Sequence, residues 1–525
     1  MGLSAGPLLF VSILLLSPIV VVEDLPFDSK VVIATAIWLS VWWITEAIPI
    51  YVTALLPLII FPYFNITSLE ETSTFYADRI VFLFLGGFIL AKAIEKTNLH
   101  KRFALNILKI FGTDPKRIVA AFMIVTGFLS GWISNTATTM LIVPIAAAVI
   151  SQAQLHINSY NNTVKNNNNN NNNDHDHQSQ NNFAVCLLLS VAYSASIGGM
   201  FTLIGTPPNA IFASLSESLL GKDISFGNWI LMAAPISTIT LLIAWFYMVN
   251  FGAKIKNTPI AEEKSIITDN LKKLGKMSLE EKIVAIVFAA TATAWISRGL
   301  LWKDLIPMID DSAIGLISAI SLFIISSALK YASTKSNIHD NSRVHYNNNN
   351  KERIMIDKEP ESNKTTSPII DWNTAVKIPW GVLLLIGGGL ALAGGFTETG
   401  LDKSIAEQLS FLKVMPYLLI IVIMVIVTVF AGEVISNTAT AALLIPIAAS
   451  LATSLSINPL MLMAPIAVAT SIGFVMPVAT PPNAIVFSTG YITVAKMARA
   501  GLPLDIIGII VVTLLSSLLV PIVLK

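Results

Sequence analysis

The chain has 525 residues, 54% of them hydrophobic and 12% charged, with a formal net charge of +1. That balance excludes an ordinary soluble domain, and the near-neutral charge offers no electrostatic basis for a nucleic-acid partner. A single cysteine, Cys186 in an apolar run, excludes an internal disulfide framework and cysteine-rich metal sites.

Apolar stretches long enough, or nearly so, to cross about 30 Å of hydrocarbon begin at once. The first, 6–22, lacks a basic leader and a small-residue cleavage site, so it is predicted to be helix 1 and not a signal peptide. The spans 31–47, 50–63 and 80–95 follow, then 183–218, 228–250, 282–300, 312–330, 379–397, 457–488 and 502–523. Two more apolar regions, 118–150 and 412–452, carry a polar Ser-Asn-Thr cluster in their middles. Each is long enough to enter and leave the bilayer on one side. Read as re-entrant hairpins, they leave eleven crossings. The predicted fold class is an all-α polytopic membrane protein.

Lysine and arginine in the short flanks set the orientation. With the N-terminus cytoplasmic, the basic segments 91–118, 251–282 and 330–378 and the short loop from Lys496 to Arg499 all fall inside. The segments 64–79 and 301–311, left outside, hold Arg79 and Lys303 among several acids. A full crossing by either hairpin would put the basic loops beyond it on the wrong side. The C-terminus is then outside, in what is predicted to be the plasma membrane.

Two polar patterns occur twice. SNTATTMLIVPIAAA at 134–148 answers SNTATAALLIPIAAS at 436–450, shifted by 302 residues, as Gly86-Gly87 is from Gly388-Gly389. TPPNAI at 206–211 answers 480–485, shifted by 274. The 28-residue difference matches the low-complexity stretch 154–182, with its run from Asn166 to Asn173, in one half alone. That stretch is predicted to be a solvated linker, the cluster Asp174-His175-Asp176-His177 included, and 331–368 reads the same way. The helices at 80–95 and 379–397 stand five crossings apart, so they run in opposite directions through the membrane. The predicted units are scaffold helices at 1–63, a first inverted repeat at 64–250, connecting segments at 251–378, and a second repeat at 379–525.

Polar residues are costly at membrane depth, and matched helix breaks in inverted repeats point to a transporter's midplane binding site. At each hairpin turn, backbone groups lose their intrahelical partners, which is tolerable only where they line a cavity or bind something. Freed carbonyls with neutral Ser, Thr and Asn oxygens suit a hard cation such as Na⁺. The helix N-termini beyond the turns suit an anion. The paired prolines of each Thr-Pro-Pro-Asn force a break that frees the carbonyls of Gly205 and Ala479 toward the tips. Each half would form one cation site between tip and break, with one small anion clamped between the tips. No Lys or Arg stands at the centre of the repeated segments. The anion must then be neutralised by bound cations and helix dipoles, which predicts obligatory coupling. Glu46 and Glu433 are the remaining deep carboxylates, each suited to helix–helix hydrogen bonding or to ligand contact. The absence of GxxxxGK[ST] argues against an ATP-driven pump, and no intramembrane Ser/His pair, HExxH or spaced aspartate pair supports an enzyme.

These residues resemble the divalent anion–sodium symporter (DASS) family of sodium-coupled dicarboxylate, tricarboxylate and sulfate transporters. Trp42-Trp43-Ile44-Thr45-Glu46-Ala47-Ile48-Pro49, Pro379-Trp380-Gly381 with Gly387-Gly388-Gly389, and both copies of the two repeated motifs carry the likeness across nearly the whole chain. The resemblance implies eleven helices and two hairpins, a scaffold and a moving (elevator-type) transport domain, and a homodimer. It implies a first sodium site from Ser130, Asn135 and the Gly205 carbonyl, and a second from Asn437 and the Ala479 carbonyl. Substrate carboxylates should meet Ser134, Asn135 and Thr136 from one tip and Ser436, Asn437 and Thr438 from the other, with Thr480 and Pro481 nearby. Gly432 departs from the family, which often carries a hydroxyl residue there, so the second sodium site is expected to lose a ligand. The expected activity is sodium symport of a small divalent anion, foremost a C4-dicarboxylate such as succinate. Sulfate or citrate symport, and sodium-independent anion exchange, are the alternatives on the same fold.

Overall fold

The computed structural model describes residues 2–15, 25–110, 114–165, 173–253, 255, 263–341, 368–408, 412 and 414–524; side chains at 154–181, 263–266, 332–341 and parts of 402–407 are outside the description. Every regular element among the described residues is helical. The N-terminal helices are α1 (Gly2–Leu15), α2 (Phe27–Thr45), α3 (Ile50–Thr53) and α4 (Leu56–Tyr63), followed by the short α5 (Leu69–Thr74). A first series runs α6 (Arg79–Lys96), α7 (Leu99–Leu108), α8 (Pro115–Ser130), α9 (Asn135–Lys165), α10 (Asn173–Gly199), α11 (Pro207–Leu220) and α12 (Phe226–Tyr247). Connecting helices are α13 (Glu263–Leu274), α14 (Leu279–Ser297), α15 (Asp311–Asn341) and α16 (Trp372–Ala375). A second series runs α17 (Trp380–Glu398), α18 (Leu401–Gln408), α19 (Tyr417–Gly432), α20 (Asn437–Ser454), α21 (Leu460–Ala469), α22 (Pro481–Phe487) and α23 (Val494–Val523).

The two series correspond element for element, α6 with α17 through α12 with α23. Their packing corresponds too: α8 and α9 both lie on α10, as α19 and α20 lie on α21. Between the series the contacts are exchanged. Helix α11 packs on α20 and α21, while α22 packs on α9 and α10, and α12 meets α23. Swapping the two series leaves this pattern unchanged.

Among the described residues nine helices are long and apolar enough to cross a membrane, α9 and α20 of the hairpin regions included. Helix α23 shows what surrounds them. Leu502, Ile506, Ile510, Leu514, Leu518 and Ile522 recur every fourth residue and are all exposed, Ile522 by 59%. A continuous apolar ridge of this length belongs against lipid, not water. The protein is an all-α polytopic membrane protein.

The expected spans are close to those observed, with three differences. The span 50–63 is two short helices, because Pro57 sits best in the first turn of a new helix. The charged loop at 91–118 contains α7, whose His100, Ala104, Leu105 and Leu108 are buried on one face while Lys101 stays exposed, an amphipathic pattern. Helices α9 and α10 run into the stretch expected to be an irregular linker, as far as Lys165 and from Asn173 onward; residues 166–172 and 342–367 lie outside the described residues. A helix once nucleated gains a hydrogen bond for each residue added, so it propagates into polar sequence.

One ion pair anchors α7 to the start of α14. Arg102 Nε donates to Glu281 Oε2 at 2.7 Å, and its other nitrogens reach the carbonyls of Gly275 and Leu274. Both partners are largely buried, so removing one leaves the other charge without compensation. Arg102→Leu is expected to cost on the order of 3 kcal/mol, read as a lowered thermal-unfolding midpoint in detergent. An unchanged midpoint would mean that solvent reaches Glu281.

Candidate functional site

The polar tips arise where an apolar helix stops and restarts. Helix α8 ends at Ser130, and after Gly131 to Ser134 the chain re-enters a helix at Asn135, with Ser134 Oγ accepting the Ala137 N–H at 3.3 Å. The second tip repeats this: α19 ends at Gly432 and α20 starts at Asn437.

Opposite each tip lies a broken helix, and here the correspondence is atomic. Asn209 Nδ2 donates to the carbonyls of Gly199 (3.0 Å) and Thr202 (2.8 Å). Asn483 Nδ2 donates to those of Gly473 (2.9 Å) and Met476 (3.0 Å). Every partner is shifted by the same 274 residues. The asparagine of each Thr-Pro-Pro-Asn therefore satisfies carbonyls that the break has freed, a task the prolines create by removing N–H donors. Thr206 and Thr480 precede the restarted helices in extended conformation, and Thr480 Oγ1 accepts the Asn483 N–H.

Tip and break meet. Ser130 Oγ lies 2.6 Å from both Asn135 Oδ1 and the Ala195 carbonyl, in a fully buried position. One hydroxyl hydrogen can serve only one of these two acceptors, so three oxygens converge with a single proton among them, a donor set that fits a hard cation. Asn135 also presses on the break: a Cβ on Gly199 would stand 2.6 Å from its Oδ1, so that position admits only glycine without displacing the amide.

The second half is more open. Asn437 Oδ1 and Thr440 Oγ1 are buried without a hydrogen-bond partner, which is costly unless something polar completes them. At Gly432 a Cβ would meet Asn437 Oδ1 and the Thr470 carbonyl at 3.8 Å and the Ile472 carbonyl at 3.9 Å, ordinary contact distances. A hydroxyl side chain there would fit among these oxygens. If a sodium ion binds here, as the family resemblance implies, Gly432→Thr is expected to lower the sodium needed for half-maximal uptake by about fivefold, the worth of one added polar contact. An unchanged sodium dependence in an active variant would mean that the backbone already completes the site.

A cavity of about 1460 Å³ joins these parts. Its wall includes Ser134, Asn135, Thr136 and Gly205 from one half, and Ser436, Asn437, Thr438, Ala479, Thr480 and Pro481 from the other. Ser130 alone of the expected site residues lies outside that wall, behind the first tip. Lys92, Lys96, Lys101 and Lys377 also line the cavity, away from the tips; Lys92 is paired with Glu95 at 2.6 Å and Lys96 with Asp371 at 2.9 Å. His100, on α7, adds no fixed charge, since burial pushes its pKa below the usual histidine range.

The two carboxylates expected at depth part company. Glu46 is exposed, the left-handed cap of α2 (φ 45°) at the cavity wall, because the approach to Pro49 ends the helix there. Glu433 is buried, and its two oxygens accept the N–H groups of Val475 (3.0 Å) and Met476 (2.8 Å). Asp505, fully buried on α23, went unnoticed in the sequence, as did the carbonyl-clamping task of Asn209 and Asn483, although the repeat of Asn at an equal shift was its signal.

Duplicated broken helices that bring polar tips to one cavity, within an apolar shell, define an integral membrane protein of the secondary-transporter class. The model of the sodium:sulfate symporter transmembrane region matches residues 5–524, and the chain belongs to that family, the divalent anion–sodium symporters. It is 39% identical, over 99% of its length and 91% of the relative's, to a sodium-dependent dicarboxylate transporter (SdcS) of Staphylococcus saprophyticus. Transporters of the same name in Staphylococcus aureus strains, among them bovine RF122, are 38% identical over 100% of the chain and 91% of their own.

Proposed function

We propose that the protein is a secondary active symporter that couples Na⁺ to the uptake of a small divalent anion, a C4-dicarboxylate such as succinate. The observation that carries this reading is the convergence of both tips and both breaks on one cavity, to which those four segments bring neutral oxygens and no basic side chain. An anion held there acquires its countercharge from co-bound cations and helix N-termini.

In this reading the first sodium is held by Ser130, Asn135 and the Gly205 carbonyl, and the second by Asn437 and the Ala479 carbonyl. Ser134, Asn135, Thr136, Ser436, Asn437 and Thr438 hold the two carboxylates, with Thr480 and Pro481 beside them. The two series are inverted repeats, 64–250 and 379–525, with the hairpins dipping in from opposite faces and the N-terminus cytoplasmic. The cavity wall with Lys92, Lys96, Lys101 and Lys377 belongs to the lysine-rich, cytoplasmic side, so the conformation is inward-facing. Movement of the tips and breaks as a unit against α1 to α4 would carry the site across, in a homodimer in the plasma membrane.

The relatives named for dicarboxylate transport favour that substrate over sulfate or citrate, while Gly432 is the feature that favours sodium-independent exchange as the second reading. Uptake of radiolabelled succinate, citrate and sulfate into proteoliposomes separates these. Succinate is expected to accumulate fastest under an inward sodium gradient; accumulation of sulfate or citrate alone would replace the substrate, and gradient-independent counterflow would replace the mechanism.

A further inference from the structure

The two breaks are built alike except for charge. In the second, three consecutive backbone N–H groups are taken by two buried acids: Phe474 donates to Asp505 Oδ1 at 3.1 Å, and Val475 and Met476 donate to Glu433. Asp505 is fully buried, Glu433 is 5% exposed, and Asp505 Oδ2 has no hydrogen-bond partner. No ion pair among the described residues reaches either acid. The other titratable group facing them is a phenol, Tyr193 from α10, whose hydroxyl donates to the Phe474 carbonyl at 3.0 Å; Tyr247 at the end of α12 lies beyond it, near Tyr193. Helices α20 and α21 carry no ionisable side chain.

The first break manages the same backbone without acids. Gly131 stands where the second half has Glu433, at the 302-residue shift. Two residues beyond the matched prolines Pro235 and Pro503 stand Ser237 and Asp505, and Ser237 gives its hydroxyl to the Ile197 carbonyl at 2.8 Å. The amides of Met200 and Phe201 bond back to the carbonyls of Ile197 and Gly198. Capping a break therefore requires no carboxylate. Two buried acids clasping one three-residue run, without a basic partner, are not both ionised unless a cation stands nearby.

We propose that Asp505 and Glu433 form a proton-binding site that holds one proton between them and releases it when sodium occupies the second cation site. With the proton present, Asp505 Oδ2–H donates to the Glu433 carboxylate, which supplies the partner that oxygen lacks; the pair then carries one negative charge. On release the proton passes to solvent, the pair carries two negative charges, and the cation close to the second break is held more tightly. Sodium and proton thus compete, and by linkage each weakens the other equally. The competition rests on the sodium reading of the second site; the shared proton does not.

The test uses full-length protein in detergent. Infrared difference spectra, with sodium against choline near neutral pH, are expected to show a protonated-carboxyl band lost on sodium addition in the wild type and absent in Asp505→Asn, which keeps an acceptor for the Phe474 N–H. Calorimetric sodium titrations are expected to show the weaker binding step losing up to about tenfold in affinity per pH unit as pH falls, and no pH dependence in Asp505→Asn. If that variant does not fold, Glu433→Gln takes its place. A wild type with no protonated-carboxyl band at any pH, or a variant that keeps the wild-type pH dependence, would overturn the proposal. Absence of sodium binding at every pH would overturn the competition and the symport reading together, while the band on acid titration alone still decides the shared proton.

Discussion

Asn135→Ala and Asn437→Ala are each expected to reduce sodium-driven succinate uptake by at least about a hundredfold while leaving expression and monodispersity intact. Each asparagine begins a helix at a tip and lines the cavity, and Asn135 presses its amide oxygen against the opposing break at Gly199. In the proposed reading, removal deletes a cation oxygen and an anion donor at once, two charge-assisted contacts worth about 1.5–3 kcal/mol each. The effect at Asn437 is the sharper test, because its Oδ1 has no hydrogen-bond partner among the described residues. Taking it away leaves no broken internal bond through which folding could suffer. Near wild-type transport in either variant would reduce the tips to helix-packing contacts.

The second large effect is expected at Gly199. A methyl there would stand 2.6 Å from Asn135 Oδ1 and 2.9 Å from Nδ2, so Gly199→Ala must push the amide off the Ser130 hydroxyl. Overpacking of this kind costs about 1–3 kcal/mol and falls directly on the proposed first cation site, so uptake should drop tenfold or more, with a matching loss of sodium affinity. Gly432→Ala is the control, since its methyl meets nothing closer than 3.8 Å and should be tolerated. Equal behaviour of the two variants would show that the tip and break do not meet in the working protein.

Much of this arrangement was legible in the sequence because it is written twice. Polar clusters inside apolar runs marked both tips, 302 residues apart, and paired prolines marked both breaks, 274 residues apart, the difference falling in one low-complexity stretch. What periodicity could not reveal depends on contacts distant in sequence. Asn209 and Asn483 are motif letters until the break closes on them. Asp505 reads as one acid near the start of an apolar span, a place where a charge usually reaches toward the interface; only the packing of α23 on α19 and α21 sets it beside Glu433. Glu46 shows the opposite failure. It was expected at depth alongside Glu433, yet the helix ends at Thr45 and sets it on the cavity wall, exposed where Glu433 is buried. Likewise α7 was hidden in a basic loop, because four buried side chains on one face are a weak signal among lysines and arginines.

In the symport reading, the anion's countercharge is brought by sodium and not by a fixed side chain. Calorimetric titration of succinate into purified protein, first in sodium chloride and then in choline chloride of equal ionic strength, tests it most directly. Binding is expected in sodium and no measurable heat in choline, with affinity rising as sodium is restored. Equal affinity in the two salts would contradict the claim, because the cavity wall would then hold the anion unaided.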